Sequence, residues 1–218
     1  SVFKVTLQSS SHTVFTTSYN VGDAGPGGGI IFFKDITGFS CGNNFAATGS
    51  PTGGLCNYLE AAPSGWNTGV DPALIWAVSS FQTTDVANAY GITNDDWSAS
   101  NTSATIGLGY KNSLAIVTQN SAGNTYAAGL ARAYSGGSES DWYLPTSAEM
   151  NLLCQWNRGI TQNVTASCSG GTINSGTGAS GSGFISGYYW SSSESNGGNR
   201  AWRQSFYGDG GQDSPFKS

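Results

Sequence analysis

Apolar residues in this chain come in short bursts, and long polar, glycine-rich stretches separate them. Phe3 to Leu7 and Thr13 to Thr17 read as two short strands turning at Ser9-Ser10-Ser11. They form an N-terminal arm over residues 1–20, or the end of a preceding domain, ahead of a domain over 21–218. Gly25-Pro26-Gly27-Gly28-Gly29 breaks the pattern, and Ile30-Ile31-Phe32-Phe33 follows as a buried strand. Tyr58 to Ala62 is a further strand stopped by Pro63, and Leu74 to Val78 reads as another.

Helical periodicity is confined to the middle. Tyr110 to Asn120 carries Leu114 and Val117 on one face, and Thr125 to Tyr134 carries Ala127, Leu130, Ala131 and Tyr134. Ser147 to Asn157 is the best-specified helix. Thr146 is its N-cap, Glu149 three residues on completes a capping box, and Gly159 supplies the stop. Met150, Leu153, Cys154 and Asn157 share a face. Residues Ser167 to Gly183 are almost all Ser, Gly, Thr and Asn and read as a long surface loop.

Beyond that loop the aromatic strands return. Alternation along the last one puts Trp202, Gln204 and Phe206 on one face and Arg203, Ser205 and Tyr207 on the other. The first set is the expected core set. Trp142, Trp190, Trp202 and Phe206 are expected to be buried and mutually close, since these strands hold few other large apolar residues.

Composition narrows the function. Of 218 residues 32 are Gly and 10% are charged, while 12% are aromatic, enough for a packed core rather than wholesale disorder. A net charge of -5 argues against nucleic acid, which needs a basic footprint. The sequence holds no apolar run long enough for a spanning helix, so membrane insertion is not expected. No secretory leader precedes Ser1, so the chain reads as a mature or excised segment.

Cys41, Cys56, Cys154 and Cys168 form two local pairs with no C-x-x-C, and His12 is the lone histidine, so zinc fits poorly. Among the three connectivities, Cys41 with Cys56 and Cys154 with Cys168 follow from proximity. Each loop would contribute roughly 3 kcal/mol in the chain-entropy account. Disulfides point to secretion or the cell surface, and four reduced core cysteines are the alternative.

Candidate chemistry is sparse. The Gly25 to Gly29 loop lacks the Lys-Ser/Thr of a phosphate loop, and no helix follows it. A single distant histidine rules against a Ser/His/Asp site, so no catalytic residue is assigned and no enzyme is expected. No metal ligand set or cofactor is assigned either. Calcium is the one ion that the acidic groups Asp95-Asp96, or Glu194, Asp209 and Asp213, would allow. Asn101-Thr102-Ser103 and Asn163-Val164-Thr165 fit the glycosylation sequon.

Five motifs in order carry a resemblance. They are Val21-Gly22-Asp23-Ala24-Gly25-Pro26-Gly27-Gly28-Gly29 running into Ile30 to Phe33; Cys56-Asn57-Tyr58-Leu59-Glu60-Ala61-Ala62-Pro63; Asp141-Trp142-Tyr143-Leu144-Pro145-Thr146 with Glu149; Tyr189-Trp190-Ser191-Ser192-Ser193-Glu194; and Ala201-Trp202 with Phe206 and Gly208. Together they resemble the Lcl C-terminal domain family, named after a bacterial collagen-like surface adhesin. The resemblance implies an α+β, C-type-lectin-like fold with small twisted antiparallel sheets, two or three flanking helices and long loops. It also implies extracellular binding rather than catalysis. The family closes with a Val-, Arg- and Pro-rich strand beyond Phe216-Lys217, which this sequence lacks. The Glu-Pro-Asn and Trp-Asn-Asp sugar motifs of calcium-dependent lectins are absent.

The candidate ligand face is Glu194, Asn196, Asn199, Arg200, Arg203, Ser205, Tyr207, Asp209 and Gln212, all expected to be exposed beside the last strand. Two of the four arginines sit there, and Arg and Tyr dominate binding hot spots. An anionic ligand would rely on Arg200 and Arg203 together. The expected partner is a glycan or protein on another cell or surface, recognised by an adhesin-type module. A diversified receptor-binding protein, variable over Asn196 to Asp213, and a subunit of a surface layer or fibre that self-associates are the competing classes.

Overall fold

The computed structural model describes residues 5–8, 18–41, 55–69, 71–86, 105–137, 139–174, 183–195 and 198–218. Thr13 to Thr17, His12, Asp95-Asp96, the Asn101 sequon and Asn196 lie outside them. The described residues form an α+β structure. Strands β1 (Val5–Gln8), β2 (Ile30–Phe39) and β3 (Cys56–Ala61) make an antiparallel sheet in the order β1-β3-β2. The N-terminal strand therefore hydrogen-bonds into the same sheet as β2, with Val5 opposite Ala61. Strands β4 (Tyr188–Ser195), β5 (Arg200–Ser205) and β6 (Gln212–Asp213) make a second antiparallel sheet in chain order.

Helices α1 (Gly109–Asn120), α2 (Ala127–Ala133) and α3 (Ser147–Asn157) complete the described elements with one 3-10 turn, Ser79–Phe81. Helix α3 packs on β2 of one sheet and on β4 and β5 of the other, joining the two. Its capping box forms as expected: Thr146 Oγ1 accepts from Glu149 N at 3.2 Å, and Glu149 Oε2 accepts from Thr146 N at 2.7 Å. Gly159 takes a positive φ of 68° just past the helix, the left-handed conformation that favours glycine as a stop. Contact with two sheets explains why nearly every residue of α3 is buried, polar ones included.

Both disulfides are the local ones. Cys41–Cys56 ties the end of β2 to the start of β3, and Cys154–Cys168 ties α3 to the Ser/Gly-rich segment behind it.

The Gly25 to Gly29 loop has an internal purpose. Gly27 N and Gly29 N donate to the two carboxylate oxygens of the buried Glu60, at 3.0 and 2.6 Å. A Cβ at Gly25 would enter that carboxylate, and one at Gly29 would strike the Ala61 carbonyl. The loop cradles a carboxyl group, and that group is the protein's own.

Four expectations from the pattern need correction. Leu74 to Val78 is not a strand; only a single parallel bridge, Ile75 to Tyr126, forms there. Its amides go elsewhere: Trp76 N and Ala77 N donate to the Lys217 carbonyl, and Val78 N donates to Asn120 Oδ1. Helix α1 buries Asn112, Ser113, Ile116 and Asn120, while Leu114 faces solvent. Ser113 Oγ and Asn120 Oδ1 accept from Leu144 N and Val78 N, so polar side chains on this face complete the backbone of neighbouring segments. Helix α2 buries Ala127, Ala128, Gly129 and Ala131 and leaves Leu130 partly exposed.

The fourth correction concerns the aromatic core. Trp142, Trp190, Trp202 and Phe206 are all buried, but not as one group. Trp142 and Phe206 belong to the larger cluster, around α3 and both sheets. Trp190 belongs to a second cluster with Trp76, Ile116 and Leu144. The irregularity in β4 between Trp190 and Glu194 accompanies this division.

Candidate ligand-binding face

Strand β5 sets the site. Trp202, Gln204 and Phe206 are buried, as alternation predicts. On the opposite side Arg203 is half-buried and Tyr207 is 46% exposed. Ser205 departs from the expectation: it is buried, because its hydroxyl donates to Asp209 Oδ1 at 2.6 Å and accepts from Tyr207 N at 3.2 Å. This bridge closes the turn after β5. Gln204 Nε2 holds the far side of the same turn by donating to the Gly210 carbonyl at 2.8 Å.

Register then determines what Arg203 meets. It lies directly opposite Asp213 on β6 and opposite Trp190 on β4. Directly opposed residues share a face, so the guanidinium reaches Asp213 in a bidentate pair, Nε to Oδ1 at 2.7 Å and Nη2 to Oδ2 at 2.9 Å. Tyr188, two residues before Trp190, sits on the diagonal. The Arg203 guanidinium stacks 3.8 Å from the centroid of its ring. Tyr207 meets Tyr188 edge-on, with centroids 5.2 Å apart and planes at 66°. The Asp213 hydrogen bonds raise the Arg203 pKa above its already high ordinary value, so the group stays charged and paired.

Tyr188, 36% exposed, was not among the residues expected on this face. Its alternation with Tyr189 was visible in the sequence, but the cross-strand diagonal to Arg203 was not.

The other expected face residues divide. Glu194 is the clearest correction: it is 1% exposed and ion-paired to the fully buried Lys217 ammonium. Its second oxygen accepts from Val86 N at 3.0 Å, and Lys217 also donates to the Thr84 carbonyl and lies over the Trp76 ring. Burial raises the Glu194 pKa and lowers that of Lys217. Asn199 is half-buried, and its carbonyl accepts from Lys217 N. Gln212 Nε2 donates to the Ser147 carbonyl at 2.8 Å and ties β6 to the start of α3.

Arg200 is exposed, but it does not join Arg203. They stand three positions apart on a regular strand, so they project to opposite sides. Arg200 donates to the Ser214 carbonyl and stacks on the Phe216 ring at 4.5 Å. Asp209 is exposed, and the Ser205 hydroxyl, followed by the Gly211 and Gly210 amides, holds its pKa below the usual carboxylate range. Glu194, Asp209 and Asp213 thus have separate partners. Among the described residues no three acidic, histidine or cysteine side chains gather as a metal would require.

Beside this face lies an open cleft of about 530 Å³ between Gly171–Ile173 and Ile185-Ser186, with Phe206, Gly208 and Arg158 also lining it. Arg158 is only 5% exposed and gives its terminal nitrogens to the Gly170 and Tyr207 carbonyls. It braces the backbone of Tyr207 from behind.

No protein-family model matches the chain, and neither a curated protein nor a solved structure shows significant similarity to it. No helix among the described residues is long and apolar enough to cross a membrane.

Proposed function

We propose that this chain is an extracellular ligand-binding module of adhesin type, C-type-lectin-like in architecture, which recognises a glycan or protein on another surface and performs no catalysis. The observation that carries this reading is the Tyr188–Arg203–Tyr207 platform. Tyr188 and Tyr207 are exposed and Arg203 is half-buried, yet each is held by a ring contact, an ion pair or the adjoining turn. Such preorganisation limits the conformational entropy lost on binding. Two disulfides are consistent with an oxidising compartment. The five ordered motifs that resemble the Lcl C-terminal domain family supply the fold analogy.

The test is a binding panel of immobilised glycans and extracellular matrix proteins, comparing the wild type with an Arg203→Ala, Tyr207→Ala double variant. Expected is a ligand whose binding the double variant loses while its melting temperature stays within a few degrees. Unchanged affinity in the double variant would move the site away from this face, towards the Ser167 to Gly183 loop.

A further inference from the structure

Charge at the platform selects the class of ligand. An arginine beside two tyrosines on a surface ordinarily suggests an anion site. Here the guanidinium commits Nε and Nη2 to Asp213 and one planar face to Tyr188. The pair is neutral as a unit. Arg200 projects to the other side of β5, and Arg158 is buried against carbonyls. Asp209 and Asp213 are both exposed on this side, and the whole chain carries -5. Among the described residues, a sulfate, phosphate or sialate arriving at Tyr207 would meet the Asp209 and Asp213 carboxylates, while the one nearby cation outside an ion pair, Arg158, is 5% exposed and turned towards backbone carbonyls behind Tyr207.

What the platform does offer is an aromatic ring, exposed and braced, next to a fixed fork. Tyr207 meets Tyr188 at a steep angle, so the two rings make a corner rather than a flat sheet. The apolar C–H face of a pyranose packs on such a ring. The outer lone pairs of the Asp213 carboxylate and the Arg203 Nη1, the nitrogen that Asp213 does not engage, present an acceptor and a donor for vicinal hydroxyls.

We infer that the ligand of this face is a neutral saccharide, stacked on Tyr207 and hydrogen-bonded by the Arg203–Asp213 pair, and that Asp213 excludes acidic glycans by neutralising Arg203. The inference rests on the binding reading above and adds the ligand class and the residue that sets it. It yields a change of specificity at this face: removing the Asp213 charge uncovers a cation beside Tyr207 and admits anionic sugars.

The experiment uses mannotriose, cellotetraose and lacto-N-tetraose as neutral probes and a heparin tetrasaccharide and sialyllactose as anionic ones. Each is titrated against the wild type, Tyr207→Ala, Tyr207→Phe and Asp213→Asn, with melting curves confirming that each variant folds. The wild type should bind at least one neutral probe, with affinity changing little between ~0.05 and ~0.5 M salt. Tyr207→Ala should weaken it by roughly tenfold or more, and Tyr207→Phe by much less. Asp213→Asn should gain salt-sensitive binding to the heparin tetrasaccharide. Wild-type preference for an anionic probe overturns the neutral class while leaving the binding face standing. So does an Asp213→Asn variant that gains nothing, or a protein ligand lost in the Arg203→Ala, Tyr207→Ala variant. If neither these sugars nor any member of the wider panel binds, the binding reading falls as well.

Discussion

The second sheet carries two ion pairs of the same chemistry and opposite consequence. Glu194 and Lys217 are 1% and 0% exposed and fully enclosed, with Val86 N and the Thr84 carbonyl serving their remaining hydrogen-bonding groups. Arg203 and Asp213 have side chains 27% and 52% exposed. The buried pair joins three segments: the tail at Lys217, the stretch 74–86 and β4. Its backbone takes part too, since the Lys217 carbonyl accepts from Trp76 N. The exposed pair joins only neighbouring strands and leaves its outer edge to solvent. Burial turns a salt bridge into a structural joint, because removing one partner strands a charge in a dry interior. Exposure leaves it contributing little to stability and available to a ligand.

That contrast is broken most severely by Lys217→Met. It should cost about 3 to 5 kcal/mol, read as a drop in denaturation midpoint, because Glu194 is left buried and unpaired. Adding Glu194→Gln should recover part of the loss. A Lys217→Met variant as stable as the wild type would place this pair in the same energetic class as the surface one.

A pH series sharpens the contrast with a carboxylate that has no cation partner among the described residues. Burial pushes Glu149 up to about 7, against hydrogen bonds from Thr146 N, Gly107 N and Tyr143 that pull it down. Its folded pKa thus lies above the unfolded value of ~4.3, so the folded state binds the proton more tightly. The stabilisation is fully present below ~4.3 and is lost as pH rises through about 7. The unfolding free energy should fall by up to roughly 4 kcal/mol across that window. Glu149→Gln, which keeps the capping geometry, should flatten the slope. Equal slopes in the two proteins would mean that Glu149 is ionised throughout. Glu60, Glu194 and Glu139 are shifted in the same direction, so they leave a remnant slope in the variant.

The smallest effect belongs to the exposed pair. Arg203→Ala should change stability by about 1 kcal/mol or less, measured by chemical denaturation. A loss comparable to that of Lys217→Met would make Arg203 part of the framework and remove it from the binding face.

Much of the local structure was legible in the sequence, and the limits are informative. The Thr146 capping box, the Gly159 stop and the two short disulfide loops depend on groups within about fifteen residues of one another, and each formed as read. The strand after the Gly-rich turn began at Ile30 as expected. On the candidate face, Arg203 and Tyr207 project outward as alternation required, whereas Ser205 and Glu194 do not.

What the sequence by itself determined, then, is where chain segments turn, cap and alternate, since those preferences act between near neighbours. Tertiary structure alone decided which polar groups go inside. Glu60 meets its glycine amides across 33 and 31 residues, Glu194 meets Lys217 across 23, and Asn120 meets Val78 N across 42. Hydrophobic periodicity marks an inner face only where that face is apolar. A buried carboxylate or amide reads as surface until the distant partner that satisfies it is in place. The pairing of Arg203 with Asp213 and Tyr188 has the same origin: composition supplied the residues, and strand register brought them together.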